Sequence, residues 1–305
     1  LSPRPIQIVE VGPRDGLQNE AAILDPAVRA DLVLRLEAAG ARRIEAVSFV
    51  HPGRVPQMAG AEAVMAALPP SPDHRRIGLV LNAKGYDRAL GTGVDEVNVS
   101  LSVTEGFGLK NQGLGVRDQV AMLADILARR HNSDGADTPV PALSATLSCV
   151  WGCPFDGEVS VSQVADRVGE LAALGVAEIG LADTIGVGDP WSVSRKIEAA
   201  RATAPDATLR LHFHDTRNTG LANAHAAIEA GIDVLDASVG GIGGCPFAPG
   251  ATGNVATEDL VYMLERAGYA TGYDLDALIR TARWIGETIG RPVPSALSRA
   301  GGWAG

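Results

Sequence analysis

Aromatic residues are scarce in this chain, at 4% of 305 positions, so any core must be built mainly from Ala, Val, Leu and Ile. Cysteine is nearly absent as well. Cys149, Cys153 and Cys245 are the only three, and an odd count gives no disulfide framework and suggests a reducing compartment. No stretch approaches the roughly 20 consecutive apolar residues of a membrane span. The opening LSPRPIQIVEVG has no apolar signal-peptide core and is too short before the first strand for a transit helix. A soluble, cytoplasmic protein is expected. Positive charge is in deficit: 26 Lys and Arg stand against 36 Asp and Glu, a formal charge of −10. That balance disfavours nucleic acid or an anionic membrane as partner, while a local basic pocket can still take an anionic small molecule.

What is present is globular: 46% hydrophobic and 20% charged, a balance unlike that of disordered chains. Short β-branched runs alternate with alanine-rich amphipathic segments to about residue 240. The runs at 6–12, 42–49, 77–81, 96–102, 141–148, 178–183, 208–214 and 234–240 are predicted strands. Helices are predicted over 26–39, 60–68, 117–130, 161–174, 190–203 and 218–230, several ending at a glycine fit for a C-cap (Gly40, Gly175, Gly231). Eight strand–helix units with strands fit for burial on both faces predict a parallel (β/α)8 TIM barrel. A doubly wound sheet would carry a glycine fingerprint after its first strand, where this chain reads VGPRDGLQ. The expected organisation is one domain, 1–305, with the barrel over about 5–255 and additional C-terminal helices over about 256–300, which close the barrel or support a lid.

Barrel chemistry sits at the C-terminal ends of the strands. There the chain places Arg14 and Asp15 in GPRDG, Glu45, Asp183, and His212, His214 and Asp215 in HFHD; Cys245 and Asn254 follow the last strand, and Glu258 opens the next helix. His212 and His214 are two apart, so both rings project from one strand face. With a carboxylate and an amide oxygen they suit a divalent cation with open positions; alone, the pair reads equally as hydrogen-bonded histidines in the barrel mouth. Arg14–Asp15 is either a salt-bridged turn or, framed by Gly12, Pro13 and Gly16, a guanidinium presented to a developing oxyanion. Glu45 and Asp183 read as direct catalysts or as carboxylates that orient Arg14 or the histidines. Cys149 and Cys153 read as packing residues, since no further Cys/His pair stands at zinc spacing. GVGDP at 186–190 is explained as well by a helix start with Pro190 at its first position as by a phosphate loop.

Three motifs carry a resemblance: VEVGPRDGLQNE at 9–20, LADTIGVG at 181–188 and GGIGGCPFAPGATGNVATEDLVYML at 240–264. The chain resembles the 3-hydroxy-3-methylglutaryl-CoA lyase family, metal-dependent aldol-type lyases on a TIM barrel. The resemblance implies that Asp15, His212, His214 and Asn254 bind Mg2+ or Mn2+ and that Arg14 stabilises the enolate of the departing acyl-CoA. It also implies that Cys245 works from a pliable loop, with Glu45, Asp183 and Glu258 supporting the site. The implied substrate is an acyl-CoA, cleaved to acetyl-CoA and a keto acid such as acetoacetate, and the implied assembly is a homodimer sharing the C-terminal helices. A thiol in a glycine-rich loop suits a general acid that protonates the enolate. Asp15 or His212 is the expected acceptor of the hydroxyl proton.

The chain departs from the family pattern at SLSVTEGFGLKN (100–111) and at LSATLSCVWGCP (143–154). Thr146 stands where the family shows a tyrosine facing the acyl group. Ser144 replaces a larger or basic residue, Trp151 is bulky for its place, and Ala21 stands where a lysine often meets CoA phosphates. The smaller Thr146 admits a larger branched 3-hydroxyglutaryl-CoA or a citramalyl-type ester. A barrel that only binds a CoA ester has no need of all six of Arg14, Asp15, His212, His214, Asn254 and Cys245. PRDGLQ and the Cys245 loop speak against a condensing synthase.

Overall fold

The computed structural model describes residues 3–133, 139–244 and 253–303. Eight parallel strands close on themselves: β1 (Gln7–Glu10), β2 (Arg43–Ser48), β3 (Arg75–Val80), β4 (Glu96–Ser102), β5 (Ala142–Ser148), β6 (Glu178–Asp183), β7 (Thr208–Phe213) and β8 (Val234–Ala237). They pair in ring order, and closure is made by the register Gln7↔Val234 to Glu10↔Ala237. The barrel is therefore closed by strand pairing, and the C-terminal helices are not needed for it.

Around the ring lie α1 (Pro26–Ala38), α2 (Ala61–Ala67), α3 (Ala83–Leu90), α4 (Glu105–Gln112), α5 (Val116–Ser133), α6 (Val161–Ala173), α7 (Pro190–Thr203) and α8 (Gly220–Glu229). Local chemistry starts them. Ser160 and Gln163 form a capping box on α6, and Asp189 caps α7 with Pro190 at its first turn. The second observation explains GVGDP as a helix start. Gly40, at φ 104°, takes the left-handed turn after α1. Helices α3 and α4 were not foreseen; both are short and contain glycine.

The strands alternate apolar and polar residues, as in EVNVSLS and TLRLHF, although both faces are buried. Apolar positions such as Val97, Ile179 and Leu211 pack outward against helices in one continuous core. Polar positions point inward. Arg43 on β2 reaches across the barrel to Glu178 on β6 (2.7 and 2.8 Å) and holds Glu96 on β4 (2.6 and 3.0 Å). Ser144 donates to the same Glu96 at 2.6 Å, so it belongs to this lower plug. A small apolar cluster of Val9, Val11, Ile77 and Val234 lies apart from the outer core.

Beyond the barrel, α9 (Thr257–Arg266), α10 (Leu275–Ile289) and α11 (Ala296–Ala300) follow. Helix α10 packs on α1, on α9 and on the turn at Val239–Gly241. Among the described residues, no helix is long and apolar enough to cross a membrane.

Candidate active site

GPRDG folds as a single wide helical turn, with the amides of Arg14, Asp15 and Gly16 all turned to Val11 O. This turn presents both charged side chains at the C-terminal rim. Glu10, the last residue of β1, anchors it from below. Its carboxylate accepts from Gly12 N (2.7 Å), Val239 N (3.0 Å) and Thr257 Oγ1 (2.7 Å), tying the loops after β1 and β8 together.

Arg14 lies between two carboxylates, donating to Glu45 Oε2 (2.6 Å) and Asp15 Oδ1 (2.7 Å). Asp15 also accepts from Gln18 (2.8 Å) and from Asn254 Nδ2 (2.9 Å). The His212 and His214 rings stand 5.1 Å apart, and the backbone of His214 bridges to Asn254 beyond the end of β7. Asp15, His212 and His214 each offer a ligand atom within 4.8 Å of the others. Among the described residues, the buried His214 Nδ1 and Asn254 Oδ1 find no hydrogen-bond partner. Unpaired buried acceptors are costly, and this nitrogen–oxygen donor set fits a divalent cation.

Charge follows the geometry. Burial pushes the Asp15 carboxyl up, but Arg14, His212, His214 and the Asn254 amide overcome it and hold it at about 2. Burial pulls His214 down to about 4, helped by the neighbouring His212. Burial also disfavours charge on His212, yet its bond to Asp236 and the charges of Asp15 and Asp236 raise its pKa.

A cavity of ≈ 420 Å³ opens above these groups. Its walls include Ser100, Phe107, Thr146 and the cations Arg54 and Lys110, so an acidic chain offers an anionic ligand a locally basic mouth.

The structure thus gathers Arg14, Asp15, Glu45, His212, His214 and Asn254 at one place. Glu45 orients Arg14 and is steadied by Asn98 Nδ2 (3.1 Å). Asp183 accepts from Val187 N and Gly188 N at 2.9 Å and shapes its own loop, with burial raising its pKa against those bonds and the charge of His212. Glu258 accepts from Gly240 N (3.0 and 3.1 Å), holding the turn after β8. Asp215 accepts from Gly220 N at the start of α8. Cys245 lies outside the described residues. Cys149 and Cys153 are buried, as packing residues should be. Trp151 packs on Phe213, with ring centroids 5.4 Å apart.

Sequence reasoning passed over Glu10, Gln18, Asn98 and Asp236. Strand parity was the signal for Asp236, which is the register partner of His212.

A closed barrel with a His–His–carboxylate set that could hold a metal ion and a paired arginine at its C-terminal rim defines the class, a TIM-barrel enzyme with a candidate metal site. The chain belongs to the HMGL-like family of carbon–carbon lyases, whose pattern matches residues 5–285. It is 40% identical over 306 residues to the (R)-citramalyl-CoA lyase of Chloroflexus aurantiacus, covering 97% of this chain and 95% of that one. It is 41% identical over 300 residues to the 3-hydroxy-3-isohexenylglutaryl-CoA/hydroxy-methylglutaryl-CoA lyase of Pseudomonas aeruginosa, covering 98% and 97%. A solved HMG-CoA lyase of Acinetobacter baumannii, in complex with coenzyme A and 3-methylmalate, superposes with a TM-score of 0.91 at 38% identity, over 97% of this chain and 95% of that one.

Proposed function

We propose that the protein cleaves a 3-hydroxyacyl-CoA of the 3-hydroxy-3-methylglutaryl-CoA type to acetyl-CoA and a keto acid, acetoacetate for that ester. The convergence of Asp15, His212 and His214 beside Asn254 Oδ1, which has no partner among the described residues, carries this reading. These four residues would hold Mg2+ or Mn2+. A cation bound there acidifies and orients the substrate's 3-hydroxyl.

The chain supplies the rest. Asp15 or His212 takes the hydroxyl proton. Arg14, fixed by Glu45 and Asp15, offers its guanidinium to the enolate oxygen that gains charge as the C–C bond breaks. Cys245 then protonates the enolate carbon, a role suited to a thiol of pKa about 8.5, and a Cys245→Ser enzyme with unchanged turnover would refute it. Asp183 and Glu258 act through the loops they hold. Arg54 and Lys110 at the cavity wall favour an anionic ester. We assign a homodimer on the family resemblance.

One observation favours a differently substituted ester. The Thr146 hydroxyl, at the cavity wall, is committed to Asn98 and Arg210, at 3.0 Å each. It leaves the acyl group a short side chain in place of a phenol, which suits a branched 3-hydroxyglutaryl-CoA or a citramalyl-type ester.

The test is acetyl-CoA release from a panel of 3-hydroxyacyl-CoAs with Mg2+ or Mn2+ and after EDTA. Fast, EDTA-sensitive cleavage of the methylglutaryl ester is expected. Preference for another panel member would keep the chemistry and move the substrate to the second reading. No cleavage of any ester by metal-loaded protein would overturn both.

A further inference from the structure

His212 and Asp236 are register partners on β7 and β8, so their side chains stand together on the inner face of the barrel. Asp236 Oδ2 lies 3.1 Å from His212 Nδ1, while His212 Nε2 faces the other way, 3.9 Å from Asp15 Oδ2. A carboxylate only accepts, so a neutral ring in this contact carries its proton on Nδ1 and its lone pair on Nε2.

Asp236 also has a cation beside it, in an ion-pair contact without a hydrogen bond. The buried guanidinium of Arg210 stands 3.5 Å from Asp236 Oδ1, and its Nη2 donates to Thr146 Oγ1 at 3.0 Å. Thr146 in turn donates to Asn98 Oδ1 (3.0 Å), Asn98 donates to Glu45 (3.1 Å), and Glu45 accepts from Arg14, which also holds Asp15. The contacts therefore run from Asp236 round the barrel wall and back to Asp15. Thr146 packs over Gly180, where a Cβ would come within 2.6 Å of its hydroxyl, so the space for this threonine is built into β6.

We propose that Asp236 is a positioning residue: with the Arg210 guanidinium beside it, itself bonded to Thr146, it fixes His212 in the Nδ1–H tautomer and aims Nε2 at the cation site beside Asp15. Thr146 thereby joins the acyl wall of the cavity to the metal centre. The inference rests on the metal reading above.

Mn2+ binding to the full chain, followed by the free-ion electron paramagnetic resonance signal, tests it. Asp236→Asn should weaken Mn2+ binding by about 10–100-fold while its melting temperature stays near that of the wild type. Thr146→Val should weaken binding in the same direction by a smaller factor. A second measurement needs no variant to fold stably. Ring 15N spectra of the Mg2+-loaded wild type should show His212 protonated at Nδ1. Unchanged Mn2+ affinity in a folded Asp236→Asn protein, or a His212 ring without that proton, overturns the proposal and leaves the metal site standing. A wild type that binds no Mn2+ overturns both.

Discussion

The inside of the barrel and the layer between its strands and helices are both buried, but they are held by different physics. The outer layer is almost wholly apolar, with Leu32, Val97, Ile179 and Leu211 in one continuous cluster, and its cohesion comes from area removed from water. The inside is mostly ionic. Arg43 is clamped between Glu96 and Glu178 at the lower end, Arg210 stands against Asp236 at mid-height, and Arg14 lies between Asp15 and Glu45 at the upper rim. Many TIM barrels fill this space with branched aliphatic side chains. Charges so buried are weak evidence of extra stability, because desolvation offsets much of the attraction. They do lock side chains in place, and at the rim that rigidity is what a reacting centre needs.

The comparison breaks most sharply at the bottom. Arg43→Met should strip the buried Glu96 and the half-buried Glu178 of their hydrogen-bonded cation, leaving only the longer contacts to Arg75 (3.7 Å) and Arg210 (3.5 Å), and lower stability by about 3–5 kcal/mol in urea unfolding. If the variant is as stable as the wild type, the lower plug is not held together by charge. At the rim the same kind of loss should appear as lost rate. Arg14→Gln is expected to reduce kcat about 10²–10³-fold, with a smaller stability change than Arg43→Met, in steady-state cleavage of whichever ester the panel selects.

Glu258 links the two ends of the comparison through pH. Burial, opposed by its bond to Gly240 N, raises its carboxyl from 4.5 to about 7. Its folded form therefore holds a proton that the unfolded chain has released. That stabilising contribution is fully present below about 4.5, falls as pH rises through about 7, and amounts to on the order of 3 kcal/mol. Glu258→Gln should flatten the wild-type decline in melting temperature across this window; an identical slope would place the titration elsewhere. The smallest effect belongs to the outer layer. Ile179→Val should cost about 0.5–1.5 kcal/mol and leave kcat unchanged.

The eight strands were legible because each is a short apolar run between turn residues, and β6 falls at 178–183 in both sequence and structure. Helices α3 and α4 were not. AKGYDRAL and EGFGLKNQ carry glycines that weaken intrinsic helicity, and α3 forms where the Asn82 side chain caps it through Gly85 N. Arg14, Asp15, His212, His214 and Asn254 could be listed together from strand ends and motif resemblance. Asp183 was legible as a site-associated carboxylate, but its actual partners are the backbone amides of the loop that follows it. The plug was not legible at all, since strands fit for burial on both faces do not reveal which charged residues meet across the ring. Arg43 and Glu178 lie 135 residues apart.

By itself the sequence determined the period, the order of strands and helices, and which residue types end the strands, because those depend on local pattern. Only the tertiary structure decided that the polar face of each strand turns inward. Closure of the ring places both faces out of water, and buried charges must then find partners across the barrel. It was likewise closure that set Asp236 behind His212 and brought Thr146 to Arg210 and Asn98, since register between strands, unlike periodicity within one, is a property of the whole fold.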